Sequence, residues 1–218
     1  MWHIWKERNA LVHSQESWSK EKFWQAVIGL VSEINISTPP SNSSATTVRR
    51  ISWQPPPDGW VKLNVDGSVK GDPPSSAIGG VARDPAGNWI AGFYTHVGHC
   101  SVLEAELKAL RDGLSLIWVL GYCKVLVHSD SSTAVNLILS EKELFHPLGM
   151  IIADCHTMLQ KSWEIELSYR LREANIVADA MAELGHDCRS GERLWPSPPS
   201  SILQLVDLDR RGHMYSRS

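Results

Sequence analysis

The sequence lacks a long apolar run, a closely spaced cysteine pair and an excess of basic residues. No stretch approaches the roughly 20 apolar residues that a transmembrane helix requires, so we expect no membrane partner. The opening residues, MWHIWKERN, do not resemble a signal peptide. Four widely spaced cysteines, without a CxxC pair, favour reduced thiols in an intracellular protein over a disulfide framework. Whether that compartment is the nucleus or the cytoplasm stays open.

The charge balance does not by itself indicate a nucleic-acid partner, because the net charge is −3 over 218 residues. The acidic residues are concentrated in the middle of the chain. Between Trp60 and His186 there are 10 lysines and arginines against 15 aspartates and glutamates, a net charge of −5. The acids of this region are therefore candidates for a catalytic site.

Four segments differ in composition and periodicity. Residues 1–36 are tryptophan-rich and follow a helical period, and residues 37–59 contain a run of Ser, Thr and Pro that predicts a flexible linker. Residues 60–186 alternate between strand and helix patterns in the order βββαβααβα. This order predicts an α/β fold in which helices cover a mixed five-stranded sheet. Residues 187–218 are mostly polar, and we expect a loosely ordered tail.

The element predictions rest on local patterns. WVKLNVDGS alternates apolar and polar residues as a half-buried strand does, and PAGN at residues 85–88 predicts a hairpin turn. Residues 101–120 form an amphipathic pattern with a helical period. The remaining predictions are strands at 77–84, 89–97, 124–130 and 164–171, and helices at 131–139, 147–162 and 173–184.

Two carboxylates of the first strand and first helix are candidate metal ligands. Asp66 ends the first predicted strand in the run NVDGS, where an acid before Gly67 is also compatible with a simple turn. Glu106 lies on the apolar side of the predicted helix, whereas Glu104 faces solvent. A carboxylate buried without a partner costs several kcal/mol, so Glu106 requires an ion or a hydrogen-bonded role.

Two further carboxylates follow the same pattern. Asp130 ends the strand KVLVHSD, where its alternative role is to cap the next helix, although Ser131 and Ser132 are also able to do so. Asp179 borders the packed side of the last helix, one turn after Asn175, while Glu183 points outward. Carboxylate oxygens at strand ends and inner helix faces are what a pair of divalent ions in a phosphodiesterase needs.

The motifs NVDGS, AELKAL, VHSDS and REANIVADAMA, in this order and spacing, resemble those of type 1 ribonuclease H domains. The surrounding phrases WQPPPDGWVKLNVDGS and GGVARDPAGNWIAGF resemble the version found in plant non-LTR retroelements, over residues 53–186. MWHIWKERN is similar to the segment that precedes this domain in those polyproteins, so residues 1–36 are interpreted as a helical remnant of that region. The family resemblance implies a ribonuclease H-like fold and an endonuclease that cleaves the RNA strand of RNA–DNA hybrids.

The resemblance also implies roles for individual residues. It makes Asp66, Glu106, Asp130 and Asp179 the catalytic ligands of two Mg²⁺ or Mn²⁺ ions, the same four that the residue patterns indicate. The polar residues flanking these acids are assigned to substrate binding, and they are Asn64, Gly67, Ser68, Ser131 and Asn175. We expect the protein to act as a monomer.

Two departures from the family leave alternatives open. Tyr169 stands where many relatives have a histidine that assists proton transfer or product release, and no basic protrusion precedes the last strand. One alternative is a weak or inactive remnant that binds nucleic acid or a partner protein. Another is a DNA-strand-transfer enzyme of the same fold, which we disfavour because such enzymes use three acids and lack the REANIVADAMA pattern.

Overall fold

A computed structural model describes residues 50–140, 146–188 and 193–216. The predicted helical segment of residues 1–36 and most of the predicted linker of residues 37–59 lie outside the described residues. The described residues from 50 to 216 belong to one unit of the fold. Among them, no helix combines the length and the apolar character that crossing a membrane requires.

The secondary structure follows the predicted order from the first long strand to the last long helix. The strands are β1 (Arg50–Ile51), β2 (Val61–Lys70), β3 (Ser75–Arg83), β4 (Trp89–Gly98), β5 (Lys124–Ser129), β6 (Glu164–Tyr169), β7 (Arg193–Trp195) and β8 (Tyr215–Ser216). The helices are α1 (Val102–Val119), α2 (Ser132–Leu139), α3 (Gly149–Leu159), α4 (Ile176–Gly185) and α5 (Leu203–Arg210). Short 3₁₀ turns at Arg172–Ala174 and Ser200–Ile202 precede α4 and α5.

The central sheet is mixed and has the strand order β6-β5-β2-β3-β4-β7. Strands β2, β3 and β4 form an antiparallel meander, while β5 and β6 run parallel to β2. The predicted mixed α/β fold is therefore confirmed, but the sheet has six strands instead of five. The additional strand is β7, which pairs antiparallel with β4. Its three residues are too few to show a period in the sequence.

The turn between β3 and β4 forms where the sequence predicts it. The Asp84 carboxylate oxygen Oδ1 accepts hydrogen bonds from the backbone N–H of Ala86 at 2.9 Å and of Asn88 at 2.8 Å. Gly87 has a φ of 76°, a left-handed conformation that glycine adopts without steric cost. The turn thereby fixes the register of the meander.

The main hydrophobic core lies between the sheet and α1. The alternating side chains Val61, Leu63 and Val65 of β2 pack in one cluster with Leu110 and Leu114 of α1. The hydroxyl of Ser101, the residue before α1, accepts a hydrogen bond from the Glu104 N–H at 3.2 Å and caps the helix. The predicted apolar face of this helix is therefore the face that meets β2.

The opposite face of the sheet is covered by α4 and the residues after it. A second, smaller core contains Val81 of β3, Val177 and Met181 of α4, and Ile202. Polar side chains of β2 also point to this face, because Lys62, Asn64 and Asp66 alternate with its apolar residues. The Asn64 side chain on this face contacts Asn175 at the start of α4.

Two helices approach the sheet at glycines. A Cβ atom at Gly67 would lie 2.6 Å from backbone atoms of Ala105 and Glu106 in α1. A Cβ atom at Gly79 would lie 2.2 Å from the backbone nitrogen of Ala182 in α4. Both separations are shorter than the 3.0 Å that Cβ atoms tolerate. Glycine at these two positions therefore allows α1 and α4 to rest on the strand backbone.

The residues after α4 are more structured than the expected loosely ordered tail. Described residues 193–216 contain β7, α5 and β8, and β8 pairs with β1 through Arg50 opposite Ser216 and Ile51 opposite Tyr215. Ile202 is buried in the smaller core, and Asp209 is buried against Arg83. The sequence pattern does not reveal the buried ion pair between Asp209 and Arg83, which contributes to this order.

Candidate active site

The register of the parallel strands brings two acids together. The last pair of residues between β2 and β5 is Val65 opposite Ser129. The next residues are Asp66 and Asp130, so their side chains emerge next to each other where the two strands separate. Asp66 does not end its strand as predicted, since β2 continues to Lys70 in its pairing with β3.

Glu106 completes a group of three carboxylates. It lies on the buried face of α1, as the helical wheel predicted, and Glu104 instead forms a salt bridge of 2.8 Å with Lys108 near the surface. One oxygen from each of Asp66, Glu106 and Asp130 lies within 4.8 Å of the others. Asp66 is 5% exposed and Glu106 is 7% exposed, so at least two of the three carboxylates are largely shielded from water.

Asp179 lies at the same cleft but is engaged elsewhere. It lies in the first turn of α4 and forms an ion pair with the guanidinium of Arg172. It does not belong to the group of three carboxylates that lie within 4.8 Å of each other. The four predicted ligands are therefore placed around one cleft, with Asp179 held at its edge by Arg172.

The cleft itself is open and has a volume of about 530 Å³. Three of the predicted substrate-binding residues line it, namely Gly67, Ser68 and Ser131. The Ser131 hydroxyl also caps α2, since it accepts a hydrogen bond from the Ala134 N–H at 3.3 Å. The cleft therefore combines carboxylates with hydroxyl and backbone groups at the point where β2 and β5 separate.

The structure places the other two predicted substrate-binding residues away from the cleft surface. Asn64 and Asn175 are fully buried and do not line the cleft. The Asn64 side-chain amide donates to Asn175 Oδ1 at 3.0 Å, and Asn175 Nδ2 donates to the Val65 carbonyl at 2.9 Å. These contacts join β2 to the start of α4, which explains both residues without a substrate.

Burial and neighbouring negative charges raise the pKa values of two carboxyl groups and so weaken them as acids. Burial, followed by the charge of Asp130, raises the pKa of Glu106 from 4.5 to about 8, against the opposing effect of the Gly67 N–H that donates to it. Burial, followed by the charges of Glu106 and Asp130, raises the pKa of Asp66 from 3.8 to about 9. At neutral pH the group therefore favours the binding of positive charge, either protons or a cation.

The donor set fits a hard divalent cation. The Glu106 oxygen Oε2 is buried without a hydrogen-bond partner among the described residues. A buried carboxylate oxygen in that state is unfavourable unless a proton or a metal satisfies it. Carboxylate oxygens are the ligands that Mg²⁺ and Mn²⁺ prefer, so Asp66, Glu106 and Asp130 form a candidate metal centre.

Three charged residues of the cleft were not predicted as site residues. Lys70, Arg172 and Glu183 line it, and Glu183 forms an ion pair with Lys70 instead of simply facing outward. Strand alternation offered a signal for Lys70, which follows Asp66 and Ser68 on the same face of β2. Helix periodicity offered a signal for Glu183, which lies four residues after Asp179 and therefore on the same side of the helix.

The raised pKa values predict a pH-dependent stability in the absence of metal. Asp66 and Glu106 bind protons more tightly in the folded state than in the unfolded chain, where their pKa values are near 3.8 and 4.5. Their stabilising contribution is therefore fully present below about pH 4 and is lost as the pH rises through about 8 to 9. We expect the melting temperature in EDTA to fall across this range, and Asp66→Asn to fall less steeply than the wild type. An equal fall of the melting temperature with pH in the two proteins would contradict the raised pKa of Asp66.

Tyr169 lies beside the cleft and not within it. It ends β6 and pairs with Ser129, the residue before Asp130. Its side chain is 41% exposed, whereas the neighbouring leucines in the sequence favoured a buried face, and it does not line the cleft. The sheet ends at this residue, so the alternation with Leu167 does not bring it into the core.

This sheet order, with an acidic centre where β2 and β5 separate, is the arrangement of a ribonuclease H-like domain. A solved ribonuclease H domain from Mycobacterium tuberculosis matches with a TM-score of 0.54 and 23% identity, over 59% of this chain and 94% of that one. Ribonuclease H1 of Halobacterium salinarum matches with a TM-score of 0.55 and 22% identity, over 59% and 98%. At these identities the likeness concerns the fold.

The sequence profile of the family described as reverse transcriptase-like matches residues 64–185, more than half of the chain, and the protein belongs to that family. An Arabidopsis thaliana protein with the provisional name ribonuclease H protein is 34% identical over 164 residues. The match covers 75% of this chain and 26% of that relative, so it spans about a quarter of the relative's length.

Proposed function

We propose that the domain is an endonuclease that hydrolyses the RNA strand of RNA–DNA hybrids with the help of two divalent ions. The observation that carries the proposal is the convergence of Asp66, Glu106 and Asp130 in an open cleft, with a buried Glu106 oxygen that no described residue hydrogen-bonds. The ribonuclease H-like fold supports the same conclusion. One solved neighbour, with a TM-score of 0.53 and 22% identity, is described as a ribonuclease H1 in complex with an RNA/DNA hybrid.

The four carboxylates would share the task of holding the ions. Asp66, Glu106 and Asp130 would bind from the floor of the cleft, and Asp179 from its edge once it is released from Arg172. Divalent ions held by these residues would supply the positive charge that activates a water and stabilises the leaving oxygen. The Gly67 N–H, which hydrogen-bonds to Glu106, orients that carboxylate towards the cleft.

The rim of the cleft provides groups for a nucleic-acid backbone. Lys70 and Arg172 are cations that line the same cleft as the acidic centre, and Ser68 and Ser131 add hydroxyl groups to its lining. Arginine and lysine side chains that face a backbone commonly bind its phosphates. The sequence between β5 and β6 adds only Lys142 and Lys161 as basic residues, so we expect weak binding of the hybrid by this domain, acting as a monomer.

A cleavage assay tests the proposal. The full chain is incubated with a labelled RNA–DNA hybrid in the presence of Mg²⁺, Mn²⁺ or EDTA, with single-stranded RNA and double-stranded DNA as alternative substrates. We expect cleavage of the RNA strand of the hybrid and no cleavage of single-stranded RNA or double-stranded DNA. EDTA should abolish the cleavage. Cleavage that persists in EDTA would contradict the proposed role of the metal.

A second function is favoured by the ion pair between Arg172 and Asp179. With Asp179 occupied and no histidine at position 169, a domain that binds hybrids without cleaving them is the alternative. Binding of the hybrid that is unaffected by metal, together with no cleavage under any condition, would favour this function over the nuclease.

Tyr169 offers a way to test the missing histidine. A phenol with an ordinary pKa near 10 does not exchange protons near neutral pH as an imidazole does. General acid–base assistance usually contributes about 10²–10⁴-fold. Because Tyr169 lies beside the cleft and not in it, we expect Tyr169→His to raise the single-turnover rate by only about tenfold near pH 7. Tyr169→Phe is the matched control and should be unchanged. If Tyr169→His is no faster than the wild type at any pH, residue 169 has no role in the reaction.

A further inference from the structure

A buried chain of hydrogen bonds connects the C-terminal helix to the acidic centre. Asp209 of α5 pairs with Arg83 Nη1 at 2.8 Å, and Arg83 Nη2 donates to Asn64 Oδ1 at 3.1 Å. Asn64 Nδ2 donates to Asn175 Oδ1 at 3.0 Å, and Asn175 Nδ2 lies 3.4 Å from Asp130 Oδ1. These five residues are called the polar chain below. Its first four members are at most 2% exposed.

A second donor reaches the same point of the polar chain from the segment before β2. The Trp53 indole N–H donates to Asn64 Oδ1 at 3.0 Å, and the Trp53 ring lies 3.9 Å from the Arg83 guanidinium. Trp53 and Asp209 lie on either side of residues 64–185, which match the family profile. The flanking segments therefore contribute a buried polar contact to the matched region from both of its ends.

The two donors determine how both asparagine amides are oriented. Since an indole and a guanidinium only donate, Asn64 presents its oxygen to them and its amide nitrogen to Asn175. Asn175 then accepts through its oxygen, which directs its own N–H groups to the Val65 carbonyl and Asp130. If the Asn64 amide were rotated by 180°, its oxygen would face the Asn175 oxygen, and two acceptors would meet. The Asn175 amide would then have to rotate as well, and its Nδ2 would no longer be directed at Asp130.

We infer that Arg83, Asp209 and Trp53 are positioning residues, which act through Asn64 and Asn175 to present a donor to the Asp130 carboxylate. This inference rests on the proposed cation site and adds the flanking segments to the machinery of that site. Hydrogen bonds to a ligating carboxylate orient it, and their loss commonly weakens metal affinity by about 10–100-fold. The polar chain acts on Asp130 indirectly, so the effect of each distant member is smaller.

The experiment separates positioning from stability. A buried ion pair is often replaceable by apolar residues of similar volume without loss of stability, so Arg83→Met is combined with Asp209→Leu to remove one donor to Asn64. Trp53→Phe removes the other donor, and a third protein carries all three substitutions. Asp207→Asn, an exposed acid on the same helix that pairs with Arg210 and Arg211, is the matched control.

The readout is the affinity for Mn²⁺ of the full chain without substrate, measured by calorimetry, with the melting temperature of each protein beside it. Removing either donor leaves the other in place, so we expect about a threefold loss of affinity for each and more than tenfold when both are removed. Asp207→Asn should bind as the wild type does. A folded triple variant with wild-type affinity would overturn the inference.

Two further outcomes keep the test decisive. If the triple variant does not fold, wild-type affinity in both the Arg83→Met/Asp209→Leu protein and Trp53→Phe would overturn the inference. If the wild type itself does not bind Mn²⁺, or Asp130→Asn binds it equally well, the proposed cation site fails and the inference fails with it. If the wild type binds Mn²⁺, Asp130→Asn does not, and the triple variant binds as the wild type does, the cation site stands and only the inference fails.

Discussion

Asp130→Asn is expected to abolish hybrid cleavage while the protein stays folded. Asp130 shares the floor of the cleft with Asp66 and Glu106, and an amide in its place offers a neutral and weaker ligand. Loss of several kcal/mol of charge stabilisation in the transition state corresponds to a rate reduction of about a thousandfold or more. The measurement is single-turnover cleavage in saturating Mg²⁺, with melting curves to establish that the variant folds.

The same substitution should not destabilise the metal-free protein. The charge of Asp130 helps to raise the pKa of both Asp66 and Glu106, so removing it relieves repulsion between like charges. The melting temperature in EDTA should stay level or rise. Asp154→Asn, on the exposed side of α3, is the control and should alter neither activity nor stability. Wild-type cleavage by Asp130→Asn would exclude the proposed centre.

The second large effect distinguishes two glutamates on one helix. Glu106→Gln should reduce cleavage by about a hundredfold or more, because it removes a buried ligand whose oxygen Oε2 has no hydrogen-bond partner in the part of the chain that the structure describes. Glu104→Gln should change the rate less than twofold, since Glu104 is partly solvated and its salt bridge with Lys108 joins neighbouring turns of the helix.

The comparison of the two glutamine variants is made at equal Mg²⁺ concentration and with melting temperatures for both. Glu106→Gln should raise the melting temperature in EDTA, since burial raises the pKa of this group and leaves its charged form unfavourable at neutral pH. Equal loss of activity in both variants would show that the effect comes from the helix and not from the carboxylate that reaches the cleft.

Sequence patterns predicted the parts of the site that depend on periodicity. The apolar stripe of α1 was sufficient to place Glu106 on a buried face. Strand alternation placed Asp66 on the polar face of its strand, and only the structure shows that this side chain is buried. The approach of Asp130 to Asp66 depends on the register of β2 with β5, which the sequence does not display. Its strand-end position nevertheless marked it as a candidate.

Long-range polar contacts were beyond sequence reasoning. Asn64 and Asn175 were expected at the substrate, because a polar side chain beside a catalytic acid has the same appearance in a sequence whether it faces solvent or a partner 111 positions away. Arg83 and Asp209 are separated by 126 positions, and only the fold shows that they meet. The order of residues 193–216 was missed for the same reason.

The close contacts of α1 with Gly67 and of α4 with Gly79 limit which positions of the domain can change in sequence. Because Gly67 and Gly79 leave no space for a methyl group, the width of the cleft is not adjustable through these two positions. Under the proposed function, a preference for one nucleic acid over another would instead be set by residues such as Lys70, Thr133 and Arg172, which line the cleft. An effort to redesign the specificity of this domain would therefore begin with the rim and keep both glycines.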